Sequence, residues 1–529
     1  MILNKIKSYI PVAIVILTMS ALMTSCVGDL DVENINPQQT STLDPDALLN
    51  KIYSSFVLTG QQGPDGNKDI ADLDEGRSDL YRKSWELNEF PTGEASWQWN
   101  DTGLPELLSK TWGADNASSV GLYYRLFFSI TLCNYYLEVV PEDGSEDVKH
   151  KRAEVRFIRA LLYYYVMDFY ANAAFIEKVS TEPGVRYTRP EYFAYIEKEL
   201  LEIEPDLAIQ SPAYGRVNKV ATWMLLARLY LNAEVYTGSA QWAKAKEYAE
   251  KVIKNGYYHL NETPGTNPST GEKYSAYQML FLADNDTNGA QYENIFPILN
   301  DGVYTQSHGS MHFLVLANYA KRDVSQQDVV IPSGTDVSWG KCMAVTGQLV
   351  DVFFGVGVDA PEVTTKCSDI TEAAKDDRAL FYTTGYTRDI NNRSDEEQGY
   401  ACVKFRNVRS DGLPASSMEK VDTDLPLMRI AEAYLTYAEA ETRLNGSTQA
   451  SREALNTLRK RANAEEKGSY TLDDIYNEWV REFWFEGRAR IDQIRFGKYD
   501  VPKFRYIYPI PYNDLVNNPN LTGHQNEGY

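Results

Sequence analysis

Histidine and paired cysteine are scarce in this chain of 529 residues, and their scarcity argues against two kinds of metal site. The five histidines show no HExxH or comparable spacing, so a metalloprotease-type zinc site is not supported. The five cysteines form no CxxC pair, so a structural zinc site is not expected. Four of the cysteines are scattered and are expected to be isolated core residues, not a disulfide framework: Cys133, Cys342, Cys367 and Cys402.

Sequence motifs of the common enzyme classes are also lacking. There is no GxSxG nucleophile elbow, no phosphate-binding P-loop and no Rossmann glycine pattern. A glycosidase needs two carboxylates, but the 74 Asp and Glu residues are so numerous that a pair can be imagined anywhere. The sequence therefore predicts a binding protein and not an enzyme, with a surface glycosidase as the less favoured alternative.

The chain has fewer positively charged than negatively charged side chains. The chain has 52 Lys and Arg against 74 Asp and Glu, a formal net charge of −22. A polyanion is repelled by the phosphate backbone, so nucleic acid is not expected as a partner. A neutral ligand meets no such repulsion, and most sugar polymers are neutral.

The apolar run near the N-terminus is too short to span a membrane. It extends from Ile10 to Met23, about 14 residues, whereas a spanning helix needs about 20. Lys5 and Lys7 precede it, as is typical of a secretory signal peptide. Residues 1–25 are therefore predicted to be a signal peptide.

The end of this run indicates a lipid anchor. Met23–Cys26 resembles a bacterial lipobox, in which the cysteine is lipidated and becomes the mature N-terminus. Acyl chains on Cys26 would hold the protein at a membrane, since each buried CH2 contributes about 0.8 kcal/mol. The alternative is a secreted protein with a chance cysteine. Residues 26–42 are expected to form a flexible tether, which begins with an acidic cluster resembling the signal that sends lipoproteins to the outer face of the outer membrane: Asp29, Asp31 and Glu33.

Helical periodicity dominates the rest of the chain and predicts an all-α fold in a single domain, 43–529. Helices are expected at 43–58, 119–140, 154–170, 217–235 and 242–256, and in a second block at 427–495. Two of them form a hairpin with a period of about 34 residues and small residues between the helices, a pattern typical of tetratricopeptide repeats. The sequence thus predicts helical repeats at about 119–256 and 427–497, stacked into a scaffold.

Two long stretches with weak periodicity, about 59–118 and 257–420, lie beside these helical blocks. They are rich in Gly, Asn, Asp and Thr, and loops of this length in a compact protein are usually functional. We therefore expect these loops to form the ligand face.

Aromatic residues in the loops suggest what the ligand is. A pyranose has a flat C–H face and a rim of hydroxyls, so a sugar site needs an aromatic plane with polar side chains at its edge. Trp97 and Trp99 lie in the first loop, and Trp339 lies beside a glycine in the second. We expect Trp97 and Trp339 to be displayed to solvent, and at least one of the Trp97/Trp99 pair to be exposed.

Several segments occur in an order that one known family shares. They are Ala153–Ala160 (AEVRFIRA), Val217–Asn232, Pro426–Glu439 (PLMRIAEAYLTYAE), Arg481–Gly497 (REFWFEGRARIDQIRFG) and the ending Tyr508–Tyr529, with YPIP, NPN and NEGY. Together with the lipobox they extend over nearly the whole chain. On these motifs the chain resembles the SusD/RagB family of surface lipoproteins, most closely its starch-binding members.

The resemblance implies a function and a partner. It implies a lipid-anchored glycan-binding protein on the outer face of the outer membrane, which captures starch or maltooligosaccharides and passes them to a SusC-like TonB-dependent transporter. The alternative is a scaffold component of that complex that binds another glycan or peptides.

The resemblance also implies site residues. In starch-binding relatives two Trp and one Tyr form an arc, and the Trp positions resemble Trp97 and Trp339. The Tyr position falls near His308, with Tyr304 close by, which is a departure from the family pattern. The polar partners at the edge of the sugar resemble three positions of the first loop: Asp74, Arg82 and either Asn100 or Asp101.

A calcium site is a further implication. Asp284–Gly289 looks like a fragment of a calcium loop, but no Glu follows at the twelfth position of an EF-hand, and a solvated turn explains it as well. The resemblance favours a structural calcium held by Asp286 and Asp422. No other cofactor is expected.

Overall fold

The computed structural model describes residues 43–60, 63–64, 66–70, 73–74, 76–320, 333–362 and 368–529. Leu49–Tyr529 form one compact unit, and the residues before Leu49 are grouped apart from it. The predicted signal peptide, Cys26 and the tether, as well as Cys367, lie outside the described residues. Within the described ranges, no helix is both long enough and apolar enough to cross a bilayer.

Helices form most of the regular structure, which confirms the prediction of a mainly α-helical fold. Their bounds are α1 (Pro45–Ser54), α2 (Leu80–Glu89), α3 (Leu104–Leu108), α4 (Ala117–Val139), α5 (Glu146–Tyr170), α6 (Arg189–Ile203), α7 (Lys219–Leu231), α8 (Ala233–Thr237), α9 (Trp242–Ile253), α10 (Ser310–Leu316), α11 (Gly347–Phe354), α12 (Ser368–Ala374), α13 (Ala431–Asn445), α14 (Gln449–Arg461), α15 (Leu472–Phe483), α16 (Ala489–Arg495) and α17 (Tyr512–Asn517).

The strands are short and pair two by two, each pair antiparallel. The pairs are β1 (Ala95–Trp97) with β7 (Met343–Val345), β2 (Ala174–Phe175) with β3 (Val185–Arg186), β4 (Gly265–Thr266) with β5 (Lys273–Tyr274), β6 (Asn294–Ile298) with β10 (Leu425–Arg429), and β8 (Phe381–Tyr382) with β9 (Ala401–Cys402).

Neighbouring helices pack in a continuous series. Helix α4 packs on α5, α5 on α6, α7 on α9, α9 on α13, and α13 on both α14 and α15. The apolar spacing explains this packing, since the core-facing side of each helix is buried, as at Ala245, Ala249 and Val252 of α9. Helices α9 and α13 are in contact although residues 254–430 separate them in sequence. The long second loop region is therefore inserted between two packed helices of the series.

The second helical block begins later than the sequence predicted. Residues 425–429 form β10, which pairs with β6, and the helix begins at Ala431. Pro426 has no backbone N–H to donate and fits poorly inside a helix, which favours the extended conformation here.

The sequence did not predict helix α2, because its charged side chains are buried. The helix therefore lacks the alternation of a buried apolar face and an exposed polar face by which helices are recognised in a sequence. All ten of its residues are buried. The carboxylate of Glu86 pairs with Lys83 at 2.7 Å and with Arg82 at 3.2 Å, so these charges are compensated inside the protein. The first loop region, 59–118, therefore contains an element of the core.

The described cysteines behave as predicted. Cys133, Cys342 and Cys402 are buried free thiols. Burial raises the pKa of Cys133 to about 12, so this thiol is unreactive near neutral pH.

Candidate functional site

Trp97 is buried, which corrects the expectation that it is displayed to solvent. It ends β1 opposite Met343 of β7, and only 1% of its surface is exposed. Its ring packs against Phe90 and Phe313, with centroids 6.0 and 5.8 Å away. Its indole N–H donates to Oδ2 of Asp101 at 2.8 Å. The sequence could not show this, because the pairing strand lies more than 240 residues further along the chain.

Trp99 is the exposed member of the pair. It follows β1 by two residues and is 39% exposed. Its ring meets that of Trp97 edge to face, with centroids 6.0 Å apart and an interplanar angle of 76°. The stacking surface predicted for the first loop therefore belongs to Trp99, with Trp97 as its buried support.

Trp339 is half-buried and belongs to the same aromatic cluster. Its ring lies 6.4 Å from Phe313 of α10, and its backbone N–H donates to the carbonyl of Leu316 at 3.0 Å. Trp97 and Trp339 thus both contact Phe313. The two loop regions therefore bring their tryptophans to one place.

Glu396 lies beside Trp99 and close to Gly340, the neighbour of Trp339, and sequence reasoning missed it. Its Oε1 accepts the indole N–H of Trp99 at 2.8 Å. Its Oε2 lies 3.4 Å from the position of a Cβ built on Gly340, the neighbour of Trp339. Gly340 has φ +89°, a conformation that side-chain-bearing residues rarely adopt. No local signal marks Glu396, since almost 300 residues separate it from Trp99.

Arg82 is buried beneath the aromatic cluster, whereas the resemblance implied that it contacts the edge of the bound sugar. It is 3% exposed, and its Nη1 donates to the carbonyl of His308 at 3.0 Å. Its guanidinium carbon lies 4.5 Å from the Phe313 ring centroid and 5.4 Å from that of Trp339. Such contacts stabilise both rings, so in this structure Arg82 holds the aromatic residues in place.

Asp74 and His308 both lie close to Gly76. A Cβ on Gly76 would be 3.4 Å from Oδ1 of Asp74 and 3.3 Å from Nδ1 of His308. Asp74 is exposed, and its Oδ1 accepts the backbone N–H of Gly76 at 2.9 Å. The structure therefore brings Asp74 next to the aromatic cluster.

Asp101 and Asn100 have different surroundings. Both oxygens of Asp101 face protein groups, since Oδ2 accepts from Trp97 and Oδ1 lies 3.8 Å from Nη1 of Arg77. Asp101 therefore fixes the buried Trp97. Asn100 is exposed, and its Oδ1 accepts from Arg393 at 3.5 Å.

His308 joins the cluster, while Tyr304 stands apart from it. The half-buried His308 stacks on His312 with centroids 5.7 Å apart, and Trp339 lies edge-on to both rings. Tyr304 is 83% exposed, and in the described part of the chain no ring contact joins it to these residues. Burial, together with the positive charges of Lys420, His308 and Arg82, holds the pKa of His312 well below its usual range, so His312 is neutral.

The two residues of the predicted calcium site share a neighbourhood. Burial and then the charges of Asp286 and Asp422 raise the pKa of Asp424. However, Asp422 already accepts the backbone N–H groups of Gly302 at 2.8 Å and of Ser416 at 2.6 Å. Among the described residues, no three or more His, Cys, Asp or Glu side chains converge to hold a metal ion. A structural calcium held by Asp286 and Asp422 therefore stays a prediction.

The site has two layers. The partly exposed layer contains Trp99, Trp339 and His308, with polar groups from Asp74, Asn100 and Glu396. The buried layer beneath it contains Trp97, Phe313, His312 and Arg82. Aromatic rings with hydrogen-bonding groups at their edges can stack on an apolar ring face and bond its hydroxyls.

Comparisons with known proteins indicate the same family along nearly the whole chain. The model of the SusD family matches residues 363–504, and a model described as "Starch-binding associating with outer membrane" matches residues 29–231. The chain is 37% identical over 567 aligned residues to the starch-binding protein SusD of Bacteroides thetaiotaomicron, which covers 98% of each chain.

Solved structures show the same fold. A SusD superfamily protein from Parabacteroides distasonis superposes with a TM-score of 0.66 at 21% identity, covering 93% of this chain and 100% of that one. The surface glycan-binding protein A of Bacteroides uniformis gives a TM-score of 0.66 at 17% identity, covering 91% and 98%.

Proposed function

The chain belongs to the SusD family, and on that premise we propose that it is a cell-surface glycan-binding protein of the outer membrane that captures neutral α-glucan, starch or maltooligosaccharides. The observation that carries the proposal is a cluster with two partly exposed tryptophans, Trp99 and Trp339, in which the Glu396 carboxylate bonds Trp99 and lies close to Gly340, the neighbour of Trp339.

The choice of α-glucan is supported by the relative at 37% identity, whose name is starch-binding protein. Charge supports a neutral polymer, because a chain of net charge −22 repels anionic ones. His308 stands where the resemblance expects a tyrosine, and an imidazole offers a smaller stacking surface than a phenol. We therefore propose looser binding of the curved glucan at that end of the site.

The proposed activity is capture and not bond cleavage, in agreement with a family of carbohydrate-binding proteins. Stacking on Trp99 and Trp339 and hydrogen bonds to sugar hydroxyls hold the chain at the cell surface. The captured glycan then passes to a SusC-like TonB-dependent transporter, while lipid on Cys26 keeps the protein at the membrane. Co-purification of a neighbouring transporter with the full-length protein, lost in Cys26→Ala, tests this part.

Affinity electrophoresis in gels with amylopectin tests the binding. We expect the wild type to be retarded and Trp99→Ala to migrate nearly as in a gel without polysaccharide. The matched control is Trp223→Ala, because the indole N–H of Trp223 likewise donates to a glutamate, Glu204, at 2.8 Å. Wild-type mobility that amylopectin leaves unchanged would remove starch as the ligand.

Two further assays on the same purified protein distinguish the alternative functions, a scaffold with another ligand and a glycosidase. If peptides or other glycans bind in titrations while maltooligosaccharides do not, the chain is a scaffold with another cargo. Release of reducing ends from starch by the purified protein would instead indicate a surface glycosidase.

A further inference from the structure

We propose that Glu396 is the specificity-determining residue of the aromatic face: one carboxylate oxygen fixes the plane of Trp99, and the other accepts a hydroxyl of the bound sugar. This inference rests on the proposed glycan-binding function and adds to it a residue that the family motifs do not contain.

The two oxygens of Glu396 have different surroundings. Oε1 accepts the Trp99 indole N–H at 2.8 Å. For Oε2, no hydrogen-bond partner occurs among the residues that the structure describes, and it faces Gly340 beside Trp339. A half-buried carboxylate with one oxygen bonded to Trp99 and the other available, facing the residue next to Trp339, is suited to accept an O–H group from a ligand that stacks on this face.

The loop that carries Glu396 is held firmly, so the carboxylate has a defined position. The side chain of Gln398 accepts the backbone N–H groups of Asn391 and Asn392 at 2.6 and 2.8 Å. The backbone carbonyl of Gln398 accepts from Gln98 at 2.6 Å and from Lys341 at 3.1 Å. Gln98 lies between the two tryptophans of the first loop. The loop at 391–399 is thus bonded to the side chain of the residue that directly precedes Trp99.

The charge of Glu396 gives the site a preference among sugars. A carboxylate at the edge of the stacking surface accepts hydroxyl protons of a neutral sugar. The same carboxylate repels a uronate or a sulfate ester at that position, since like charges at close range are unfavourable. The class of ligand that fits is therefore a neutral hexose polymer with a free hydroxyl beside the stacked ring.

The experiment compares Glu396→Ala, Glu396→Gln and the control Glu397→Ala, the exposed carboxylate next in sequence. Two readouts are used: calorimetric affinity for maltoheptaose, and the near-ultraviolet circular dichroism of the Trp97–Trp99 pair, whose close rings couple. Trp99→Phe identifies the signal of the pair.

We expect Glu396→Ala to lose the coupled signal and to weaken maltoheptaose binding about tenfold or more. Glu396→Gln keeps an acceptor oxygen, so it should keep the signal and lose less than about threefold in affinity, because a neutral acceptor is weaker than a charged one. Glu397→Ala should change neither. Wild-type dichroism and affinity in Glu396→Ala, or an equal loss in Glu396→Gln, would overturn the inference. If the wild type itself does not bind maltoheptaose, the α-glucan proposal fails. The circular dichroism still shows in that case whether Glu396 orients Trp99.

Discussion

Trp97 and Trp99 are two residues apart and have opposite roles, because Trp97 ends β1 and is buried, whereas Trp99 lies beyond the end of the strand and is partly exposed. The buried ring makes contacts on several sides and donates its N–H to Asp101. Among the described residues, the surface ring contacts one other aromatic ring, that of Trp97, and donates its N–H to Glu396. We therefore expect substitution of Trp97 to affect mainly the stability of the protein, and substitution of Trp99 to affect mainly ligand binding.

We predict that Trp97→Ala lowers the free energy of unfolding by about 3–5 kcal/mol, because it leaves a cavity beneath the site. Trp99→Ala should change it by less than about 1 kcal/mol, since surface substitutions cost little. Urea unfolding followed by far-ultraviolet circular dichroism measures both. Equal losses in the two variants would contradict the two-layer description of the site.

At this scale the sequence revealed the tryptophans but not their surroundings. An aromatic residue in a polar loop is visible in the sequence, so Trp97, Trp99 and Trp339 could be named. Whether a ring is buried depends on a strand pairing between distant segments, here 95–97 with 343–345. Glu396 and His312 acquire their roles only through such distant contacts, and no spacing rule detects them.

At the scale of elements, α2 shows why the first loop region was misjudged. Helix prediction relies on one apolar and one polar face, and α2 buries both, including Lys83 and Glu89. Helices with an exposed polar face, such as α9, were found within a few residues. Asp79 precedes helix α2 as its N-cap, and its Oδ1 accepts the backbone N–H of Arg82 at 2.8 Å. The loop before α10 approaches so closely that a Cβ on Gly309 would lie 1.9 Å from Oδ2 of Asp79.

The cap of α2 gives a prediction for pH dependence. Burial raises the pKa of Asp79 to about 6, against the opposing hydrogen bond from Arg82. Between about pH 4 and pH 6 the folded state binds more protons at Asp79 than the unfolded state, so this residue makes the protein less stable as pH rises through that window.

Asp79→Asn keeps the capping oxygen and removes the titration. We therefore expect the free energy of unfolding of the variant, relative to the wild type, to rise by about 2 kcal/mol between pH 4 and pH 6 and to level off above pH 7. Denaturant titrations at each pH measure the difference. A difference that does not change with pH would show that Asp79 titrates normally.

At the scale of the whole molecule, a helical series carries the ligand loops. The series was predictable, because α4, α5, α7, α9 and α13 to α15 repeat apolar residues at helical spacing. The insertion of 254–430 between the packed helices α9 and α13 was visible only as a stretch without periodicity. This insertion supplies Phe313, Trp339 and Glu396, and the segment before α4 supplies Trp97 and Trp99. The candidate site therefore forms where two segments that are distant in sequence meet beside the helices.

The central claim is that sugar rings stack on Trp99 and Trp339 beside Glu396. A crystal structure of the protein with maltoheptaose tests it most directly. We predict glucose residues with carbon atoms within about 4.5 Å of both indole rings and a hydroxyl bonded to Oε2 of Glu396. Maltoheptaose bound elsewhere while both rings stay uncovered, or crystals without bound sugar at millimolar ligand, would contradict the account.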